Sequence, residues 1–415
     1  MQLRLTQDQQ EAMNKIAAWV VTAKGGDIFR LFGLAGCGKT TCSVELKQIP
    51  HLTKDRNIRV LYIAFTNRAV SVLESKGCTP ARTMHSVLYD VEEYSDEEKH
   101  EIKAMKQAYL DATLAGVPPE QRPPLPPSNK RVGFSLRDKA GLEEQVRDYD
   151  VIAVDEASMI GMRGGKDLLL LDKPIIGIGD PGQLQPVGDR PFFDRKDPEV
   201  LLTEVLRTDG DILELAAHVR AGGSFLNYDK PGYDFEIRRK ALPEWFDYDQ
   251  VICGIHDKRR AINEHVRALR GYTGIVPNEG EKLICVKNNK DEGMLNGTLW
   301  NVTRAEVRGD YVHLDLVEYA PRKDVADLDF RIDISVHLGC FQKDIKDDTE
   351  MGVAYRHDSV LMTWGYAITA HKSQGSEWNT VLMFDDGHIF RDQTREWRYT
   401  AATRAAKRLA VVSRH

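Results

Sequence analysis

A single octapeptide restricts this chain more than any other stretch. Gly33-Leu34-Ala35-Gly36-Cys37-Gly38-Lys39-Thr40 fits G-x-x-x-x-G-K-[ST] and follows the apolar run Ile28 to Phe32. In that pattern the glycines let the backbone curl so that its N–H groups face phosphate oxygens, and the helix that follows adds positive potential at its N-terminus. Lys39 is placed to reach the β- and γ-phosphates of a nucleotide, and the Thr40 hydroxyl to bind magnesium. Gly36, Cys37, Gly38 and Thr41 complete the expected phosphate cradle. A glycine-rich turn with no ligand is the bland alternative; a complete Gly-Lys-Thr after a strand weighs against it.

Such a loop needs a magnesium-holding acid on a neighbouring strand. Val151-Ile152-Ala153-Val154-Asp155-Glu156 supplies one, with Asp155 expected on the metal and Glu156 placed to polarise an attacking water. Further apolar runs at Val60 to Phe65 and Pro174 to Gly179 alternate with helix-like segments, the pattern of a parallel α/β sheet. A second set at Val251 to Ile255, Thr380 to Phe384 and Leu409 to Ser413 predicts a second α/β sheet, hence two α/β domains.

Two stretches differ in character. From Tyr89 to Glu143 an acidic run, a helix-like EIKAMKQAYLDATLAG and a proline-rich VPPEQRPPLPPSNK read as an insertion. The proline run is a surface linker or, with less weight, a peptide ligand for another domain. From Val286 to His357, alternating TLWNVTRAEV and YVHLDLVEY flank Arg308-Gly309-Asp310, a hairpin pattern that predicts a small inserted β-barrel.

Composition sets the outer limits. The 415 residues suffice for two to four domains. Lys and Arg total 57 against 63 Asp and Glu, so a nucleic-acid partner would have to be held by a local basic surface. The six cysteines include no C-x-x-C pair or zinc spacing, and are expected to be reduced and mostly buried. No stretch is long and apolar enough for a membrane span, so a soluble, cytoplasmic protein is expected.

A guanine-specific hydrolase would carry N-K-x-D, whereas Asn289-Lys290-Asp291-Glu292 lacks the final Asp. The remaining signatures point elsewhere. Gly179-Asp180-Pro181-Gly182-Gln183-Leu184-Gln185-Pro186-Val187 resembles motif III of superfamily 1 helicases. Trp364 to Gly375 is similar to their motif V, Tyr399-Thr400-Ala401-Ala402-Thr403-Arg404-Ala405 to motif VI, Leu202 to Arg207 to motif IV, and Ala64-Phe65-Thr66-Asn67 to motif Ia. Thr83 to Leu88 and Leu5-Thr6-Gln7-Asp8-Gln9 resemble signatures of the RecD-like branch, superfamily 1B, and the compact size resembles the phage Dda helicase subgroup. The motifs run in order from residue 5 to residue 405.

The resemblance implies a fold of two RecA-like domains, with an SH3-like barrel as the second insertion. It divides the chain into a first RecA-like domain (1–88 and 144–200) with an inserted pin region (89–143), and a second (201–285 and 358–415) with the inserted barrel (286–357). It also implies an ATP-dependent, magnesium-requiring helicase moving 5′ to 3′ on single-stranded DNA; a translocase that strips proteins or remodels DNA with little unwinding is the alternative. By resemblance Gln9 reads adenine, Gln183 senses the γ-phosphate, Arg207 and Arg404 act as arginine fingers, and Glu377 bonds the ribose. Thr66, Asn67, Thr83, His85, His371 and Lys372 would line the DNA track, with Asn263 as a further contact. Phe134 is the wedge candidate, unless it packs against its own helix. The acidic run either repels DNA as a solvated face or binds a partner.

Intact Lys39, Asp155, Glu156, Gln183 and Arg404 argue against a degenerate, non-catalytic scaffold, and the motifs with their two insertions leave no room for a fused nuclease. Single-stranded and forked DNA are the expected partners, with a single-strand-binding or replisome protein as a further one. A monomer in a bacterial cell, encoded by a phage, completes the expectation.

Overall fold

The structure is a computed structural model that describes residues 5–48, 58–92, 133–186, 188–193, 197–204, 210–230, 232–289, 292–321, 323, 325–347, 350–351 and 359–414, with scattered positions between 100 and 123. The proline-rich run and most of the acidic run lie outside the described residues.

Strands β1 (Ile28–Gly33), β2 (Val60–Ala64) and β3 (Ala81–Thr83) open the chain, and β4 (Tyr89–Glu92) pairs with β5 (Gly133–Leu136). After them come β6 (Val151–Val154), β7 (Ile175–Gly179) and β8 (Val200–Leu202). The first sheet is parallel throughout in the order β3-β2-β6-β7-β1-β8. Its middle strands are apolar on both faces because helices cover both sides, which is why they read as continuous runs and not as alternations.

The helix Gln7–Thr22 packs on this sheet through Ala12, Met13, Ile16 and Val20. Its start is set by a capping box: Gln9 N–H donates to Thr6 Oγ1 at 3.3 Å, and Thr6 N–H donates to Gln9 Oε1 at 3.1 Å.

A second parallel sheet uses β9 (Phe235–Arg238) and β10 (Gln250–Cys253). Next in the chain are β11 (Lys282–Cys285), β12 (Leu299–Arg308), β13 (Tyr311–Glu318), β14 (Phe330–His337) and β15 (Met362–Trp364), which belong elsewhere, and then β16 (Ala367–Thr369), β17 (Trp378–Phe384) and β18 (Ala405–Val412). The second sheet runs β16-β10-β17-β18-β9. Both parallel sheets fall in one compact unit, comprising residues 1–88, 136–259 and 367–415. The fold is the expected pair of RecA-like α/β sheets.

A second compact unit holds residues 89–135 and 260–366. It contains an antiparallel sheet in the order β14-β13-β12-β11-β15. The hairpin β12–β13 turns where the sequence predicts, with Arg308 opposite Tyr311 and Gly309 at φ 63°, a conformation a side chain would resist. Two of its five strands lie outside the expected 286–357 window. β11 and β15 flank the insertion and pair with each other, so the sheet is built partly from its own stems. Val360 N–H donates to Ser335 O at 2.8 Å, tying the approach to β15 to the opposite edge strand β14.

All six cysteines are buried and none is in a disulfide. Among the described residues no helix is long and apolar enough to cross a membrane.

Candidate nucleotide and nucleic-acid site

The phosphate loop leaves β1 at Gly33 and turns through Gly36 (φ 81°) and Gly38 (φ 75°) before the helix Lys39–Glu45 begins. These left-handed positions explain the two glycines. Lys39 Nζ donates to Gly33 O (2.8 Å) and Leu34 O (2.9 Å) and pairs with Asp180 Oδ2 at 3.4 Å. Gly36, Cys37, Thr40 and Thr41 lie along the same loop and first helical turn, Cys37 with its thiol buried. Gln9, almost wholly buried, donates from Nε2 to Cys37 O at 3.4 Å, so the residue expected to read adenine braces the loop backbone.

β6 ends at Val154, next to β7 and one strand removed from β1, and carries Asp155 and Glu156, with the Lys39 charge acting on Asp155. Desolvation, reinforced by the neighbouring Glu156 charge, raises the Asp155 carboxyl to about 7. Glu156 sits at φ 51°, an uncommon conformation for a residue with a side chain, and its buried Oε2 has no hydrogen-bond partner. Two crowded carboxylates, one of them unsatisfied, suit a cation and an ordered water. Thr40 and Asp155 are the residues present that could hold such a cation. Among the described residues no three His, Cys, Asp or Glu side chains converge, so nucleotide phosphates would have to complete its shell.

β7 delivers Asp180, which the sequence reading passed over. It is fully buried; Oδ1 accepts Gly182 N–H at 2.9 Å, and Oδ2 accepts the Tyr399 hydroxyl at 3.0 Å. Gln183 is buried in the same loop. The signal was available, since Asp180 ends an apolar run as Asp155 does.

The second sheet meets this site through the helix Thr394–Ala402. Tyr399 Oη accepts Ala35 N–H of the phosphate loop at 2.7 Å, and Leu184 N–H donates to Thr400 Oγ1 at 2.9 Å. Gln374 Nε2 donates to Leu184 O at 3.4 Å, and the Arg68 guanidinium lies 5.4 Å from the Trp378 ring centre. Arg404 is buried and donates to Thr400 O, Ser376 O and Thr403 Oγ1, all acceptors of its own domain. Glu377 is half-buried just ahead of β17, and Arg207 lies outside the described residues.

The expected DNA residues gather at the carboxyl ends of strands. Thr66 and Asn67 follow β2, His85 follows β3, which ends at Thr83, and His371 and Lys372 follow β16. Two hydroxyls also serve locally: Thr66 Oγ1 accepts Ala69 N–H, and Thr83 Oγ1 accepts Ser86 N–H, each capping a helix. His85 is exposed with its ring edge-on to Phe65 at 5.9 Å. His371 lies against Phe390, which stacks on Trp397, and burial lowers its pKa.

Asn263 does not join them. It is fully buried, with its amide donating to Asp344 Oδ2 (3.0 Å) and Trp364 O (3.2 Å), so it is a structural residue and not a DNA contact. Its place on the inner face of the helix His256–Leu269 turns it away from solvent. Phe134 stands on β5 at 57% exposure, on a strand instead of packed against a helix of its own.

Comparison with known proteins agrees with this geometry. The family model described as an AAA domain matches residues 4–229, more than half of the chain. The chain belongs to that family. A UvrD-like helicase C-terminal domain model matches residues 365–412 of the chain. The ATP-dependent RecD2 DNA helicase of Deinococcus radiodurans is 28% identical over 289 residues, covering 63% of this chain and 36% of that protein. The chain thus spans about a third of the length of that relative. Its fold resembles Bacteroides Pif1 bound to single-stranded DNA (TM-score 0.56, 14% identity, 99% and 93% of the two chains). It also resembles Pif1 helicase from Candida albicans (TM-score 0.55, 15% identity, 100% and 96%).

Proposed function

We propose that this protein is a superfamily 1B helicase that hydrolyses ATP to move 5′ to 3′ along single-stranded DNA and separate the duplex ahead. One observation carries the proposal: Lys39 pairs with Asp180 at the carboxyl end of β7, with Asp155 and Glu156 at the end of the neighbouring β6, while Tyr399 and Thr400 of the helix Thr394–Ala402 bond to Asp180, the phosphate loop and Leu184. A nucleotide site contacted from both sheets can turn hydrolysis into relative movement.

In this reading the phosphate loop and Lys39 bind the phosphates, and Thr40 and Asp155 hold magnesium. The metal, when bound, neutralises phosphate charge. Glu156 accepts the proton of the attacking water at its unpartnered Oε2. Gln183 senses the γ-phosphate, and Gln9 and Glu377 flank the nucleoside. Arg207 and Arg404 supply positive charge to the transition state, for which Arg404 must leave its present acceptors.

Thr66, Asn67, Thr83, His85, His371 and Lys372 line the strand. Exposed Phe134 stacks on the end base pair, which favours unwinding over remodelling without strand separation. The RecA-like portions are 1–88 with 144–200 and 201–285 with 358–415, except for the stem strands β11 and β15, which complete the sheet of an SH3-like insertion. The motif set suits the Dda subgroup, a phage origin and a role in replication or recombination. Support for the DNA substrate comes from the similar structures of Pif1, one bound to single-stranded DNA and one addressing unwinding at forked duplex DNA.

The test is ATP turnover with and without single-stranded DNA, beside unwinding of two forks that differ only in which end carries the tail. Stimulation with unwinding from the 5′ tail alone is expected. Unwinding from the 3′ tail overturns the polarity, stimulation without unwinding makes the protein a remodelling translocase, and no stimulation breaks the link between site and track.

A further inference from the structure

The Tyr399 hydroxyl has a use that the helicase motifs do not assign. It has one proton and gives it to Asp180 Oδ2 at 3.0 Å, so its lone pairs face the Ala35 N–H at 2.7 Å. Ala35 belongs to the phosphate loop, and its single N–H cannot serve both the phenol and a phosphate oxygen. The ring is buried and seated against backbone: a Cβ added to Gly182 would fall 2.9 Å from Tyr399 Cε1 and 2.7 Å from Arg220 Nε. Asp180 Oδ2 also faces Lys39 Nζ at 3.4 Å, so one carboxylate is shared between the phosphate-binding lysine and the phenol.

We propose that Tyr399 is a positioning residue that latches the phosphate loop in competition with nucleotide, so that ATP binding releases the helix Thr394–Ala402. This rests on the ATP site proposed above and deepens it. When a phosphate oxygen takes the Ala35 N–H, the phenol loses one of its two partners and Asp180 remains with Lys39. Arg404 travels with the freed helix, because two of its acceptors, Thr400 O and Thr403 Oγ1, are at that helix's C-terminal end. Nucleotide binding on the first sheet is thereby converted into freedom of an arginine on the second.

The test is titration of the full chain with a fluorescent ATP analogue, without DNA, for wild type, Tyr399→Phe and Thr400→Val. Thr400→Val removes a contact between the two sheets that leaves the phosphate loop untouched. Tyr399→Phe should bind nucleotide about three- to tenfold more tightly, since one competing hydrogen bond is gone. Its KM for ATP should fall with kcat changed less, and Thr400→Val should not tighten binding. Unchanged or weaker binding by Tyr399→Phe overturns the latch, as does equal tightening by Thr400→Val, which would make the effect a general loosening of the sheets. Should Tyr399→Phe fail to fold, 3-fluorotyrosine placed at position 399 reports directly: its fluorine resonance should shift on adding nucleotide, and an unmoved resonance in protein that binds nucleotide overturns the latch. Failure of wild type itself to bind nucleotide overturns the ATP site and the latch together, so the two failures are distinguishable.

Discussion

The carboxyl ends of the two parallel sheets are built on opposite electrostatic terms. On the first, Asp155 and Glu156 crowd each other, one held near 7 and the other carrying a buried oxygen with no partner and a strained backbone. On the second, the charges at the strand ends are paired: Asp385 takes Arg398 and Ser413, Asp386 takes Lys258 and the Gly254 N–H, and Arg404 has three acceptors, while Glu396 Oε2 on the helix Thr394–Ala402 is buried without a partner. Unsatisfied polar groups cost stability and persist where a ligand will satisfy them. Under the proposed function the crowded acids of the first sheet are where nucleotide and cation would bind, and the paired strand ends of the second give it no comparable site.

The sharpest way to break this contrast is Lys39→Ala, which should lower ATP turnover by about a hundredfold or more while leaving single-strand affinity nearly unchanged. Native phosphate release from that variant would remove the nucleotide site from the first sheet. Glu156→Gln separates function from stability. Turnover should fall by about 10² or more, yet the melting temperature at neutral pH should rise, because one of two repelling carboxylates is gone. A melting temperature that falls would mean the crowding at Asp155 and Glu156 is illusory.

Asn263→Ala tests the satisfied side of the molecule. Leaving Asp344 without its amide donor should destabilise by about 1 to 3 kcal/mol in chemical denaturation, with single-strand affinity unchanged. A selective loss of DNA binding with native stability would restore Asn263 as a contact.

The smallest expected effect is in pH. The folded protein holds the Asp155 proton up to about 7, whereas the unfolded chain releases it near the ordinary carboxyl value of 3.8. Between those values the folded state binds more protons, so this group's contribution makes stability fall as pH rises through that window. In protein free of metal and nucleotide, Asp155→Asn should flatten the decline. Added magnesium and nucleotide should flatten it as well, and an identical slope in variant and wild type would show that Asp155 titrates as an ordinary carboxyl.

The nucleotide side was more legible than the DNA side for a physical reason. A phosphate loop is a local object, its spacing fixed by backbone geometry over eight residues, so Gly36, Gly38 and Lys39 could be placed before any sheet was known. Asp155 needed only the rule that acids follow apolar strands. Asn263 was carried over from a family position by resemblance alone, and only its packing against Asp344 and Trp364 shows it buried. The three-residue strands β3, β8 and β16 also escaped, being too short to carry a period.

By itself, then, the sequence determined the two parallel sheets, the phosphate loop, its acid partners and the β12–β13 turn, all of which depend on residues close together in the chain. Tertiary structure alone decided that Asp180 stands between Lys39 and Tyr399, that Gln9 braces Cys37, and that Arg404 is turned into its own domain. Those facts join residues up to 219 positions apart, and no local pattern encodes which distant donor a buried carboxylate will find. Only the packing of the chain makes that choice, because each buried polar group must be satisfied by whatever the folded sheets bring within reach.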